Sequence, residues 1–352
     1  MLRSVKRILL ICFFGLLTVI LHLMGRYAPD LVFLIYPAIS QNLLRIVGGF
    51  FSVFPVAMWE LLALVWFIWM IYTFIHDITE FHIIRWITGV GLFVAICIFA
   101  LTLLWGLNNY SPPMHEKLGL SGNECSVSQL KRAAIYYRDK ANSAANSIAR
   151  DGDGEMVYDS FRDLAQDATD SYMLLAVEYD CFRGPRFQPK RMILGEVLGL
   201  EGIFVPFTGE SSVSGNIYSA CLPFVMCREI GYGCGFTGRG EAEFAAFLAC
   251  SVSDSPQLRY SGYFNAFSLC YNALYARDPA AAQEVWSGTS QALRRDCEAR
   301  LEEETAIWAK TMDHLQSGVQ DAYAETFQYE DEGPEHDSVT DLLTMWYLEE
   351  IL

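Results

Sequence analysis

Histidine is scarce in this chain and never paired. There are six in 352 residues, and only His115, His314 and His336 lie beyond residue 106. None has a second histidine four positions on, the spacing that brings two imidazoles on one helical face to a single metal. A conventional two-histidine zinc helix is therefore excluded. The sequence HEKLG at 115–119 imitates the first half of such a helix, but Gly119 stands where the second histidine belongs. Also missing is a G-x-S-x-G elbow. Ser211, Ser212 and Ser214 follow a glycine–glutamate pair with no histidine nearby, so no serine triad is indicated. There is no internal repeat and no low-complexity tract. Basic residues are in deficit, 25 Lys/Arg against 41 Asp/Glu, which argues against nucleic-acid binding through bulk charge.

The charge that is present is unevenly placed. Residues 1–106 carry 6 Lys/Arg and 4 Asp/Glu, whereas residues 107–352 carry 19 and 37, a net charge of −18. The first third is instead rich in apolar runs. Ile8–Met24, Val56–Ile75 and Ile87–Leu107 approach the ~20 residues needed to cross a bilayer. The sequence thus predicts a membrane domain over 1–106 with three transmembrane helices (about 8–24, 56–75 and 87–107), and a soluble domain over 107–352. Arg3, Lys6 and Arg7 precede the first run, and no small-x-small cleavage site follows it, so it reads as an uncleaved span. The same cluster favours a cytoplasmic N-terminus. Three spans from an inside start put the soluble domain outside the cytoplasm.

Helical periodicity dominates that domain. Ser126 and Gln129 have capping-box spacing ahead of a helix reaching Ala149. A second helix is expected over 155–180, and further ones near 258–276, 280–316, 319–328 and 338–350. Residues 202–214, β-branched and turn-rich, form the only good strand-and-loop segment. Glu330–Asp337 reads as an exposed acidic loop. Eight cysteines (125, 181, 221, 227, 234, 250, 270 and 297) permit disulfides in an exported domain without fixing their pairing. Cys227 and Cys234 are seven apart, about 10 Å along a helix, and could pair only if that helix broke at Gly233.

The most informative stretch is PFVMCREIGYGCGFTGRGEAEFAAFLAC at 223–250. It has the build of one helix followed by a second, glutamate-bearing helix. Together with LLWGLNNYSPPMHEKLGL at 103–120, PKRMILGEVLGLEGIFVPFTGE at 189–210 and YSGYFNAFSLCYNAL at 260–274, it resembles the bacterial domain-of-unknown-function family 3810. The resemblance covers nearly the whole chain. It implies a multi-pass membrane protein whose soluble part is a zinc-metallopeptidase-like, mainly α domain of zincin type with a small strand segment.

Family members carry a histidine-glutamate-x-x-histidine helix, with a further glutamate nine residues after the second histidine. Carried onto this chain, the first histidine falls on Arg228, the general base on Glu229, the second histidine on Tyr232 and the downstream ligand on Glu241. Two of three implied ligands are replaced. Arginine cannot ligate zinc because its guanidinium stays protonated. No bound metal is therefore expected, zinc being the cofactor of the family pattern, and Glu229 is left as a vestigial base. Thiolates at Cys227 and Cys234 with Glu241 would make a metal site only if the helix ended early. Arg228 could bridge to Glu241 or Glu229 in place of the lost positive charge, or point to solvent or to Glu243. The expected function is a membrane-anchored, non-catalytic protein that binds peptide or protein in the former active-site groove. An active peptidase with unconventional ligands, or a membrane-organising protein, is the alternative. The expected partners are the bilayer and a peptide or protein ligand, with no nucleic acid.

Overall fold

A computed structural model of the chain describes residues 2–80, 82–121, 125–197, 199–305 and 338–351. Two compact units emerge. The first comprises residues 1–111 with the segment Val205–Glu210, and the second holds most of the rest.

The first unit is built on four helices: α1 (Leu2–Tyr27), α2 (Pro29–Ser52), α3 (Met58–Thr79) and α4 (Ile83–Leu104). All four are long and apolar enough to cross a membrane, where the sequence led to three. The addition is α2. Asp30, Ser40, Gln41, Asn42 and Arg45 hold its mean hydropathy to 1.4, against 2.5 for α1 and 2.6 for α4. The polar residues therefore masked a 24-residue helix that no unbroken apolar run marks.

Side-chain pairings fix the helix directions. From α1 to α4, the Arg7 guanidinium donates to the Arg85 carbonyl at 2.6 Å. Phe14 meets Phe99 at 5.4 Å between ring centroids, and His22 Nε2 lies 3.3 Å from Thr102 Oγ1. Both series ascend together, so α1 and α4 are parallel. Between α3 and α4, Trp66 stacks on Phe93 at 4.8 Å and Phe74 meets Trp86 at 4.9 Å. These series run oppositely, so α3 and α4 form an antiparallel hairpin. Arg85 donates to both carboxylate oxygens of Asp77 across its turn.

The second unit is predominantly helical: α5 (Met114–Leu118), α6 (Val127–Ala145), α7 (Phe161–Glu178), α8 (Leu194–Val197), α9 (Leu222–Cys234), α10 (Arg239–Val252), α11 (Pro256–Arg277), α12 (Pro279–Ser287), α13 (Gln291–Thr305) and α14 (Val339–Trp346). The capping box of α6 forms as its spacing predicts. Ser126 Oγ accepts from Gln129 N, and Gln129 Oε1 accepts from Ser126 N at 2.9 Å. The second helix starts later than expected because Ser160 caps it, accepting from Asp163 N at 3.1 Å. Of the single helix expected over 280–316, the described residues form two, broken after Ser287, where Gly288 and Thr289 close the end of α12, and residues 306–316 lie outside the described residues. The helix expected at 319–328 and the acidic loop Glu330–Asp337 lie outside the described residues.

The strand segment resolves into a three-stranded sheet ordered β1 (Lys190–Met192), β3 (Glu210–Ser214), β2 (Gly202–Val205). The strand β1, which sequence patterning missed, pairs parallel with β3, Lys190 opposite Ser212 and Met192 opposite Ser214. Parallel partners are distant in sequence, so no local turn signal announces them.

The core centres on α9, all thirteen residues of which are buried. A helix buried all round has no amphipathic stripe to read. Tyr172 of α7 donates its hydroxyl to the Cys227 carbonyl at 2.7 Å. Gly231 lets that ring and α10 close in, because a Cβ there would lie 2.9 Å from the Tyr172 hydroxyl. All ten cysteines are free thiols. The helix α9 runs unbroken through Gly233, so Cys227 and Cys234 stay apart.

Candidate functional site

The site is carried by the middle of α9. Pro223 lies in its first turn, where a missing N–H costs nothing, and Gly235 ends it with φ of 103° in the left-handed region. Between these ends the helix places Arg228 and Tyr232 one turn apart, with Glu229 adjacent to Arg228. Exposure is 7 % for Arg228, 0 % for Glu229 and 5 % for Tyr232.

A guanidinium this buried needs partners, and Arg228 has two carboxylates. Its Nε donates to Glu229 Oε1 at 3.0 Å, and its Nη1 donates to Glu201 Oε2 at 3.2 Å. Of the alternatives open in the sequence, the bridge is to Glu229. Its other arm reaches a residue the sequence did not suggest. Glu201 is just before β2, 27 positions upstream of Arg228. Only the sheet brings it in, and no spacing rule covers that. The same strand seals the carboxylate from the other side: a Cβ at Gly202 would lie 2.7 Å from Glu229 Cγ. The Glu229 carbonyl accepts from Ser211 Oγ at 2.9 Å.

The electrostatics follow from this geometry. Burial raises the Glu229 carboxyl to about 6, even though Arg228 opposes the rise. Burial also works against the charge on Arg228, but Glu229 and Glu201 outweigh it and push the guanidinium further into its charged form. Glu201, about half exposed, resists ionisation through burial, yet Arg228 and Arg300 bring it below the usual range. Tyr232 is raised by burial despite Arg228. Arg239 donates to Glu243 at 3.0 Å on α10, so Arg228 does not take Glu243 as its hydrogen-bonded partner.

The fourth residue singled out, Glu241, has a different task. It is 1 % exposed, and its Oε1 accepts from Met114 N at 2.9 Å, at the start of α5. His115 follows in that same short helix. No group of three or more His, Cys, Asp or Glu stands in metal-ligating arrangement among the described residues. Cys227 Sγ lies 3.7 Å from Cys250 Sγ, a buried thiol pair between α9 and α10. The residues brought together at Arg228 thus make a charge-compensated cluster. A general base must reach the proton it abstracts. The Glu229 carboxyl, with no exposed surface and one oxygen held by Arg228, is closed to substrate in this arrangement.

A second polar cluster escaped the sequence entirely. Asp296 on α13 is 0 % exposed and accepts from Nη1 and Nη2 of Arg150, at 2.8 and 2.7 Å, with the Tyr218 hydroxyl at 2.7 Å and that of Tyr260. Four donors satisfy the carboxylate, which marks a structural tie. Its members come from four places in the chain, so no motif could reveal them.

A four-helix unit long and apolar enough to cross a membrane, followed by a predominantly helical second unit with a buried arginine–carboxylate site, defines the class of this chain. The chain belongs to the family designated DUF3810, proteins of unknown function, which it matches over residues 34–344. No curated protein and no solved structure matches it.

Proposed function

We propose that the second unit is a zinc-peptidase-like domain of zincin descent that has lost hydrolytic chemistry. It serves as a membrane-anchored, extracytoplasmic module that binds or regulates a peptide or protein. One observation supports this reading above the others. Arg228, which falls on a metal-binding histidine in the pattern this chain resembles, forks between Glu229 and Glu201 at 3.0 and 3.2 Å. A fixed positive charge beside the base position supplies the compensation a dication would otherwise give, without a coordination position for water. Arginine and zinc are alternatives at one spot, since each excludes the other by charge.

The test is metal analysis of the full-length protein purified in detergent. After mild dialysis it should hold no stoichiometric zinc and show no zinc-dependent peptide hydrolysis. One zinc per chain would overturn the reading. The double variant Arg228→His/Tyr232→His should gain zinc on the inherited helix. Failure to do so would separate this fold from a peptidase ancestry.

A further inference from the structure

We infer that α2 is not a membrane span: it lies on the outer face of the bilayer, at the level where α1 and α4 end. This does not rest on the peptidase reading. That α2 does not cross follows from which residues meet inside the first unit; that its face is the outer one follows from Arg3, Lys6 and Arg7 at the start of α1, which favour a cytoplasmic N-terminus.

Let α1 run from face A of the membrane to face B. Because α4 is parallel to α1, it also starts at A and finishes at B. Because α3 is antiparallel to α4, it starts at B and finishes at A. Only Ala28 separates α1 from α2, so α2 starts at B. Only residues 53–57 separate α2 from α3, so α2 must finish near the start of α3, again at B. Six residue steps reach at most about 21 Å, short of the ~30 Å hydrocarbon layer. A helix that begins and ends on one face has not crossed.

The contacts of α2 agree along its length. The Tyr36 hydroxyl donates to the Thr102 carbonyl at 3.4 Å, and Ser40 Oγ donates to the Leu104 carbonyl at 2.5 Å, both at the last turn of α4. Were α2 descending antiparallel to α4, Ser40 would lie nearer residue 98. Further along, a Cβ at Gly209 would lie 2.8 Å from Gly48 Cα. The next residue, Glu210, accepts from Met58 N and Trp59 N at 3.1 and 3.0 Å, at the first turn of α3. From Tyr36 to Gly48 the helix therefore stays at the B-side ends of α3 and α4.

Its surface fits the membrane boundary. One edge, Val32, Tyr36, Ser40, Leu44 and Gly48 at four-residue spacing, is buried against the unit. Leu31, Leu34, Ile35, Ile39, Ile46 and Phe50 are exposed and apolar, and Asn42 and Arg45 are exposed among them. A surface with polar and charged groups set among exposed apolar ones suits the headgroup–acyl boundary better than the hydrocarbon centre. It also explains why a hydropathy scan ranks α2 last.

The experiment uses the full-length protein in its native membrane. Val53→Cys, in the exposed turn after α2, and Thr79→Cys, at the end of α3, are treated with a membrane-impermeant maleimide, and adducts are read by mass on the peptide carrying each site. If α2 lies on the outer face, intact cells label Val53→Cys, and label Thr79→Cys at least tenfold less until they are permeabilised. If α2 crosses, the pattern reverses, and that result, or equal labelling at the two sites, overturns the inference. Ser52→Cys replaces Val53→Cys should the latter fail to accumulate.

Discussion

Removing an arginine and a glutamate from water costs several kcal/mol per ion, so the contact between Arg228 and Glu229 must be judged against that penalty. Glu229 shows the balance in its own titration. Its carboxyl rises from 4.5 to about 6 on folding because burial outweighs the guanidinium. The folded pKa is above the unfolded one. Glu229 therefore contributes stability in full below pH 4.5, and that contribution is lost as pH rises through about 6. A shift of this size corresponds to about 2 kcal/mol. Urea melts between pH 4.5 and 7.5 should show the wild type losing roughly that amount, with Glu229→Gln flat over the same window. Arg228→Ala should steepen the loss, because the cation hydrogen-bonded to Glu229 is gone. Equal slopes in all three proteins would remove Glu229 as the titrating group. At this scale the sequence was half legible. Adjacent residues on one helix advertise themselves, so Arg228 beside Glu229 could be suspected. Glu201 could not, because a sheet with a parallel pair delivers it.

Elements in the second unit are tied by buried polar groups as well as by apolar packing. Asp296 joins α13 to the turn after α6 through Arg150, to α11 through Tyr260, and to the approach to α9 through Tyr218. Both tyrosine hydroxyls lose this acceptor if the carboxylate is removed, and Arg150, left with the Gly154 carbonyl, loses its counter-charge while only 16 % exposed on its side chain. Asp296→Ala should therefore destabilise the protein by about 3–5 kcal/mol, the cost of breaking a buried ion pair from one side. Asp296→Asn should cost less, because an amide oxygen still accepts. Denaturant midpoints of the two variants check this. Equal, sub-kilocalorie effects would mean the cluster carries no load. Helix ends were well read where a cap spoke for them, as at Ser126. Caps at Ser160 and Ser290 went unread, so 155–180 was expected to start earlier and 280–316 to be a single helix. Full burial of α9 leaves no polar face to read, so the sequence marked this helix by its resemblance to a motif and not by periodicity.

At the scale of the whole molecule, the membrane crossing order decides which compartment the acidic unit occupies. Residues 107–352 carry a net charge of −18, and the N-terminus carries Arg3, Lys6 and Arg7. Positive flanks favour the cytoplasm. An odd number of crossings then delivers the acidic unit outside, and an even number returns it inside. Hydropathy alone points both ways here. It finds three strong runs, while length and composition together admit four helices. What settles the parity is the pairing of side chains: α1 ascends with α4, and α3 descends against it. Pairings of that kind are tertiary, and no window over the sequence contains them. The expected outcome follows directly. In cells with a permeable or removed outer barrier, added protease should destroy a tag placed after Leu352 and spare one placed before Met1. Loss of the N-terminal tag with survival of the C-terminal one would mean an inverted insertion. Survival of both would mean that α2 crosses, because only an even count returns the second unit to the side of Arg3.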